Sequence, residues 1–351
     1  MLYYLVFGVL CTLFGFMSEK TSIKRTSMFC LVTIAVCFAG FRGALTTDYK
    51  NYLMMFNHIR NMCMSNILSS DVLKEPGFSV LTKILSYIGG ETFYLFALSA
   101  VTILCMYRCF KKNASIAWVS MILFIGIGSY YTSFNLIRSV MAAAIVSLGY
   151  RNIVEGRFKK YLLCVIVAAL FHTTALIMLP MYFLLRKKIN KTYLIWITVI
   201  VIGLIVFVKY FLGYIVSNFS LYATYTIDAY GMQGGSFGNI VIPAFSLIFI
   251  GILILINGKD KFNFNEIENI VLVNGSLFYF LFAVMSLEIY MLVRLSYFFE
   301  IFAWILISKL VSDSKNNRTI ITWIIVIITL LIPQITLRGT GYDPYYFIFN
   351  G

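Results

Sequence analysis

An apolar run gives way to polar sequence in Phe38-Ala-Gly-Phe-Arg42-Gly-Ala-Leu-Thr-Thr-Asp48-Tyr49-Lys-Asn-Tyr52. The apolar run covers residues 26–45, so Arg42 is predicted to lie at or just inside a membrane interface. A charged side chain at that depth is costly in lipid and is a functional candidate by default. The pattern therefore predicts a membrane span that delivers Arg42 and the carboxylate of Asp48 to the same face.

Composition predicts that the whole chain is a membrane protein. Of its 351 residues, 61% are hydrophobic and 12% are charged, and the mean hydropathy is +0.89. The apolar runs are long enough to cross about 30 Å of hydrocarbon, which favours helices over barrel strands with their period of two. The net charge of +14 comes from short Lys and Arg clusters between these runs. This is the pattern of the positive-inside rule, so we predict no nucleic-acid partner.

Cofactor motifs are missing from the sequence. The seven cysteines have no metal-like spacing, and neither an Asp-x-Asp cluster nor a phosphate-binding glycine loop beside a strand is present. We therefore predict no disulfide, no metal, no cofactor and no nucleotide-sugar site.

Placing the basic clusters in the cytoplasm predicts an all-α polytopic protein with roughly ten full transmembrane helices. The first apolar run is followed by its charges instead of preceded by them, so we interpret it as a span with an external N-terminus and not as a signal peptide. The last span returns outward and leaves the C-terminus outside. We also predict an external loop at 46–90 with interfacial helices, a second external loop at 213–238 and an external tail at 334–351. The predicted spans cover residues 2–17, 26–45, 92–110, 115–134, 138–154, 193–212, 239–256, 267–287, 290–310 and 319–333.

Residues 161–185 do not fit this alternation, because basic clusters stand at both ends. If this segment crossed the membrane once, every later loop would lie on the opposite side of the membrane from the side that its charges predict. A re-entrant hairpin of two short helices, turning near Phe171 and His172, removes the conflict. Non-helical backbone at membrane depth is tolerated only inside protein or beside a wet cavity, so we expect His172 to line such a cavity.

Isolated ionisable residues collect on the predicted external side. Arginines at span ends could be snorkelling anchors, and the histidine could be a satisfied buried residue. Cations are not expected on the external face, however, and Arg suits bidentate contact with phosphate oxygens. Three arginines there indicate a lipid-linked phosphate ligand. The residues concerned are Arg42, Asp48, Glu75, Arg138, His172 and Arg294.

Several short motifs follow one another along the chain. They are Phe41-Arg42, Asp48-Tyr49, Glu75-Pro76-Gly77-Phe78, Asn135-Leu-Ile-Arg138 and Phe171-His172-Thr-Thr. Their order resembles the EpsG family of bacterial polysaccharide polymerases, the Wzy-type enzymes. The resemblance covers nearly the whole chain, with weaker similarity around Arg294 and Tyr342. Thr47 and Ser139 stand where the family often has Gly and Gln.

This resemblance implies one membrane-embedded domain, residues 1–351, with a GT-C-like glycosyltransferase architecture. Such an enzyme would transfer a growing glycan from undecaprenyl diphosphate to a lipid-linked repeat unit, at the outer face of the bacterial cytoplasmic (inner) membrane. Its partners would be the lipid-linked donor and acceptor, membrane lipids and a chain-length regulator.

The resemblance also implies roles for individual residues. Arginines would stabilise the leaving diphosphate, and one carboxylate or imidazole would act as the base. Arg42 and Asp48 could instead pair with each other. The implied residues are Arg42, Arg138 and Arg294 for the diphosphate, Asp48, Glu75 or His172 for the base, and Tyr49, Asn135 and Tyr342 for substrate binding.

Other functions share parts of this pattern. A flippase or transporter would carry charges through the membrane midplane and an internal repeat, and the sequence has no convincing repeat. A membrane O-acyltransferase would depend on His172, and a ligase would use the same donor. The tyrosines of the external loops could stack on sugars or form the interfacial aromatic belt.

Overall fold

The computed structural model describes residues 1–43, 47–69, 75–193, 195–199, 203, 206, 210, 235–258, 261–338 and 341–350. Within these ranges the regular structure is helical, apart from one isolated bridge between Arg42 and Phe347. Short 3-10 turns at Thr132–Phe134, Thr173–Ile177, Tyr290–Leu292 and Ile348–Asn350 join or end the helices. The helices whose bounds lie within the described residues are α1 Leu2–Met17, α2 Lys24–Gly40, α3 Thr47–Asn61, α4 Met64–Ser69, α5 Pro76–Ile88, α6 Glu91–Asn113, α7 Ala117–Gly126, α8 Ile137–Ser147, α9 Tyr150–Val154, α10 Phe158–Ala169, α11 Met178–Leu185, α12 Gly238–Asn257, α13 Ile267–Met285, α14 Val293–Ser296, α15 Glu300–Asp313 and α16 Arg318–Thr336.

Four of the described helices, α6, α12, α13 and α16, are long and apolar enough to cross a membrane. A fifth span forms if Tyr290–Ser296 and α15, which are bent by 44°, are counted together. The prediction of roughly ten full spans is therefore not confirmed, and the GT-C-like architecture stays a prediction.

Besides the bent run 290–310, two more predicted spans are interrupted in the structure. In the run 115–134 the helix ends at Gly126, and a compact turn follows that buries Tyr130, Tyr131 and Phe134 in the core. In the run 138–154 the helix stops at Ser147 and resumes at Tyr150 as α9. Hydropathy averaged over a whole span does not locate such breaks, because the apolar residues on either side keep the mean high. The predicted span 193–212 and the loop 213–238 lie largely outside the described residues.

The basic segments meet at one end of the bundle. Lys309 on α15 lies 3.7 Å from Glu266 and 3.8 Å from Glu268, and Arg151 lies 3.8 Å from Glu268. The opposite end carries Met1, whose N-terminal ammonium lies 3.2 Å from Asp343. Which end faces outside stays a prediction.

Helices α10 and α11 form an antiparallel pair with His172 at the turn. The Tyr161 hydroxyl donates to the carbonyl of Met178 at 3.0 Å, and the rings of Phe158 and Tyr182 lie 5.0 Å apart. Arg186 follows α11 and donates to the carbonyl of Val154 at 2.9 Å, so both ends of the pair lie at the basic end. Insertion of this pair into the membrane from that end stays a prediction.

Candidate functional site

Glu75 joins two other predicted site residues. Its Oε2 accepts a hydrogen bond from Arg138 Nη1 at 2.5 Å, and its Oε1 lies 2.5 Å from His172 Nδ1. The backbone N–H of Thr173 also donates to Oε1, at 3.4 Å. The carboxylate is nearly buried, with 6% of the side chain exposed. Three segments far apart in sequence therefore converge on one buried anion, and we call Glu75, Arg138 and His172 the Glu75 cluster.

The start of α5 is docked on the turn between α10 and α11. The N–H groups of Gly77 and Phe78 donate to the carbonyl of Leu170 at 3.0 and 3.2 Å. A Cβ on Gly77 would lie 2.6 Å from Leu170 Cβ, so only glycine permits this approach. Pro76 occupies the first turn of α5, where its missing N–H costs nothing. This contact fixes Glu75 beside His172.

Helix α3 closes the other side of the cluster. The Tyr52 hydroxyl lies 3.4 Å from the backbone N of Arg138, and the Arg138 guanidinium lies 5.7 Å from the centre of the Phe78 ring. Buried Lys83 on α5 donates to two carbonyls at the C-terminal end of α3, that of Arg60 at 2.8 Å and that of Met62, just after the helix, at 2.7 Å. A cation at a helix C-terminus is stabilising, so Lys83 holds α3 against α5.

Charge compensation keeps Glu75 ionised. Burial raises the pKa of its carboxyl, but the hydrogen bond from His172 and the charge of Arg138 outweigh burial, and the net pKa is lowered from its ordinary 4.5. An ionised Glu75 places the imidazole hydrogen on Nδ1, since a carboxylate can only accept. The Nε2 atom of His172 is buried and has no hydrogen-bond partner among the described residues. Nε2 is therefore the ring nitrogen that no described residue engages.

Arg42 is enclosed by neutral groups. Its Nη1 donates to the Ala39 carbonyl and, at 3.3 Å, to Ser99 Oγ, while Nη2 donates to the Phe134 carbonyl at 3.2 Å. The residue is 1% exposed. Within the described part of the chain no carboxylate pairs with it, so the alternative pairing with Asp48 is not observed.

The C-terminal tail covers Arg42. The Gly43 N–H donates to the Tyr346 carbonyl at 2.9 Å, and a Cβ on Gly43 would collide with the Tyr346 ring at 2.0 Å. The ring of Tyr345 stacks on Phe38 at 4.1 Å. The tail therefore packs against the chain on both sides of Arg42.

Asp48 lies beside the predicted substrate residue Asn135. The Asp48 backbone N–H donates to Asn135 Oδ1 at 3.3 Å, and Asp48 Oδ1 accepts from Asn51 at 3.3 Å. Asn135 lies on the turn before α8, three residues from Arg138. Asp48 and Asn135 therefore flank the Glu75 cluster on the side of α3.

The remaining predicted site residues are placed differently. Tyr49 is buried at 5% exposure, and the Tyr342 ring lies 6.3 Å from that of Phe134. Arg294 on α14 is half-buried, with its Nε unpartnered among the described residues. No hydrogen bond or ion pair in that part of the chain joins Arg294 to the Glu75 cluster.

Glu300 is a buried carboxylate that the sequence analysis did not select. Its Oε2 accepts from the Ser129 N–H at 2.9 Å and its Oε1 from the Ser129 hydroxyl at 2.6 Å. It holds the turn that carries the Phe134 carbonyl and Asn135. An ionisable residue inside the apolar run 290–310 was the signal that could have found it.

Among the described residues, no group of three or more His, Cys, Asp or Glu side chains could hold a metal ion. The absence of a metal or cofactor stays a prediction. The groups suited to an anionic ligand are the guanidinium groups of Arg138, one third of whose side chain is exposed, and Arg294.

The chain matches a known protein family. The family model described as the EpsG family matches residues 25–346, which is nearly the whole chain. No curated protein and no solved structure matches it.

Proposed function

The chain belongs to the EpsG family, and from this membership and the Glu75 cluster we propose that it is a Wzy-type polysaccharide polymerase. A role in polysaccharide polymerisation and a membrane location follow from the family and from the apolar helices. We also propose the identity of the glycan donor. The enzyme transfers a growing glycan from undecaprenyl diphosphate to a lipid-linked repeat unit, at the outer face of the bacterial cytoplasmic membrane.

One observation supports this reaction above the others: Glu75 lies between Arg138 and His172 at 2.5 Å from each. A carboxylate that accepts from Nδ1 fixes the ring and its tautomer, so the free Nε2 can take a proton. In the proposed step, the acceptor sugar hydroxyl gives its proton to His172 Nε2 while its oxygen bonds to the anomeric carbon of the donor. Glu75 orients the base and is not itself the base, because its lowered pKa makes it a weak proton acceptor.

The bond between the anomeric carbon and the diphosphate breaks in the same step. The diphosphate leaves with the electron pair, and preorganised cations stabilise the charge that develops on it. Arg138 suits this role because Glu75 engages one end of its guanidinium while a third of the side chain stays exposed. Arg294 supplies a second guanidinium, and Arg42, which is sealed by neutral partners, supports the turn of Phe134.

The substrate would be held around this centre. Asp48 and Asn135 lie at the rim on the side of α3, where their side chains are available to sugar hydroxyls. Tyr49 and Tyr342 contribute to the walls and tail packing near Arg42. A chain-length regulator is the expected protein partner, and membrane lipids surround the helices.

The test is polymerisation by the purified protein. We would mix it with a synthetic undecaprenyl-diphosphate repeat unit, with chelator and without nucleotide, and separate the products on a gel. A ladder that grows by one unit supports the proposal. A single transfer to a different acceptor would mean a ligase, and binding without any product would mean a flippase; either result overturns the polymerase assignment.

A further inference from the structure

A groove of about 1200 Å³ lies between α2 and α6, away from the residues assigned above. The two helices are antiparallel along it. Lys24 and Arg25 of α2 share one end with Lys111 of α6, while Cys37 shares the other end with Phe96. Between these ends the walls are mainly apolar, and they include Met28, Val32, Val36, Ala100 and Leu104.

The groove has the length of one acyl chain. Cys37 lies thirteen positions after Lys24 on α2, which at 1.5 Å per residue is about 20 Å. Half of the hydrocarbon core of a bilayer is about 15 Å thick. The outer wall is open, since Phe29 is 70% and Leu104 50% exposed. A lipid of one leaflet can therefore enter from the side and lie along the groove.

The basic end of the groove has uncompensated positive charge. Glu19 lies there, but it is already engaged by Arg318 at 2.9 Å and by Trp118 Nε1 at 3.1 Å. Lys24, Arg25 and Lys111 are exposed, and among the described residues no carboxylate pairs with any of them. Cations beside the end of an apolar groove complement a lipid phosphate.

We propose that this groove binds one anionic glycerophospholipid. The lipid comes from the leaflet on the side of the basic loops. Its headgroup phosphate lies by Lys24, Arg25 and Lys111, and one acyl chain lies between α2 and α6. Because α2 leads to Arg42 and α6 carries Ser99, the bound lipid stabilises the pair of helices on which the Arg42 contacts are built.

The experiment is native mass spectrometry of the purified protein in detergent micelles that contain equal amounts of phosphatidylglycerol and phosphatidylcholine. We expect one phosphatidylglycerol to be retained in preference to phosphatidylcholine. The variant K24Q/R25Q/K111Q should lose roughly 100-fold in affinity for phosphatidylglycerol, because each of the three removed cations attracts the lipid phosphate with about the same free energy. Thr33→Trp places an indole on the exposed groove wall and should lower retention with every charge unchanged.

Two controls make the result specific. K159Q/K160Q removes exposed cations outside the groove and should retain phosphatidylglycerol as the unmodified protein does. Thermal unfolding of each variant shows that it is folded. Equal retention of both lipids, or unchanged phosphatidylglycerol affinity in the triple variant, overturns the proposal. A polyprenyl lipid held equally well by the triple variant also overturns it, since it would make the groove a site for the carrier tail.

Discussion

Replacing Glu75 by Gln tests the cluster with the smallest change in shape. Glutamine keeps one oxygen acceptor but turns the other position into an N–H donor. That donor must face either Arg138 Nη1 or His172 Nδ1, both of which are donors to the carboxylate. One contact is lost and the charge of Arg138 is left without its anion.

The expected loss of folding free energy follows from the burial of the ion pair. Removing one partner of a buried ion pair costs about 3–5 kcal/mol, and the partial exposure of Arg138 places this pair near the lower limit, about 3 kcal/mol. The side chain exposures are 33% for Arg138 and 6% for Glu75. The rate should fall by about 10²-fold or more, because His172 loses the group that orients it.

The assay is the initial rate of ladder formation, with thermal unfolding measured on the same preparation. Glu155→Gln is the matched control, since Glu155 also accepts from two arginines, Arg151 at 2.9 Å and Arg157 at 2.8 Å, but at the opposite end of the bundle. It should leave the rate unchanged. A Glu75→Gln protein that polymerises within about threefold of the unmodified rate would refute the reasoning.

Four further results are expected. His172→Asn keeps a donor near the Nδ1 position but has no basic Nε2, so the protein should stay folded while polymerisation falls by about 10²–10⁴-fold. If His172→Asn stayed active and Asp48→Asn lost activity, the base would instead be Asp48. Arg294→Ala should leave thermal unfolding nearly unchanged and lower polymerisation by about 10²-fold, as removal of one charge-stabilising donor does; normal-length polymer would exclude it from the diphosphate site. Because the pKa of Glu75 is lowered from 4.5, its contribution to stability is complete above that pH and is lost as the pH falls through the lowered value; the unfolding temperature should drop in that acid range, and much less so in Glu75→Gln. Gly77→Val should destabilise the docking on Leu170, where even a Cβ would lie at 2.6 Å; a variant that unfolds at the unmodified temperature would show that the approach is not constrained.

The family and the helical class were predictable from the sequence. The order of the motifs indicated the EpsG family, and the family match confirms it. The number of full spans was not predictable in the same way. Hydropathy adds up apolar residues, and it cannot register that the helix ends at Gly126 or between Ser147 and Tyr150.

The geometry of the candidate site depends on tertiary contacts. Glu75 is 63 residues from Arg138 and 97 from His172, so no local pattern places them together. Their meeting depends on the docking of α5 on Leu170, which is a backbone contact. The packing of the tail beside Arg42 could not be predicted from local sequence either, because it brings together residues more than three hundred positions apart.

In residues 157–191 the charge pattern and the hydropathy led to different predictions, since hydropathy alone indicates one full span. Basic residues on both sides of one apolar run predicted two short helices that return to the side from which they came. The structure has α10 and α11 side by side, with Arg186 bonded to Val154. Cysteine labelling at position 189 in intact cells tests the membrane placement, since a reaction with an impermeant reagent would mean a full crossing.

The most direct measurement of the central claim is the release of undecaprenyl diphosphate during polymerisation. The purified protein and its His172→Asn variant would be given the same lipid-linked repeat unit, and free carrier and new glycosidic bonds would be counted together. The account predicts one carrier released for each bond formed, with both falling together by about 10²-fold or more in the variant. Bond formation without carrier release, or equal rates in the two proteins, would contradict it.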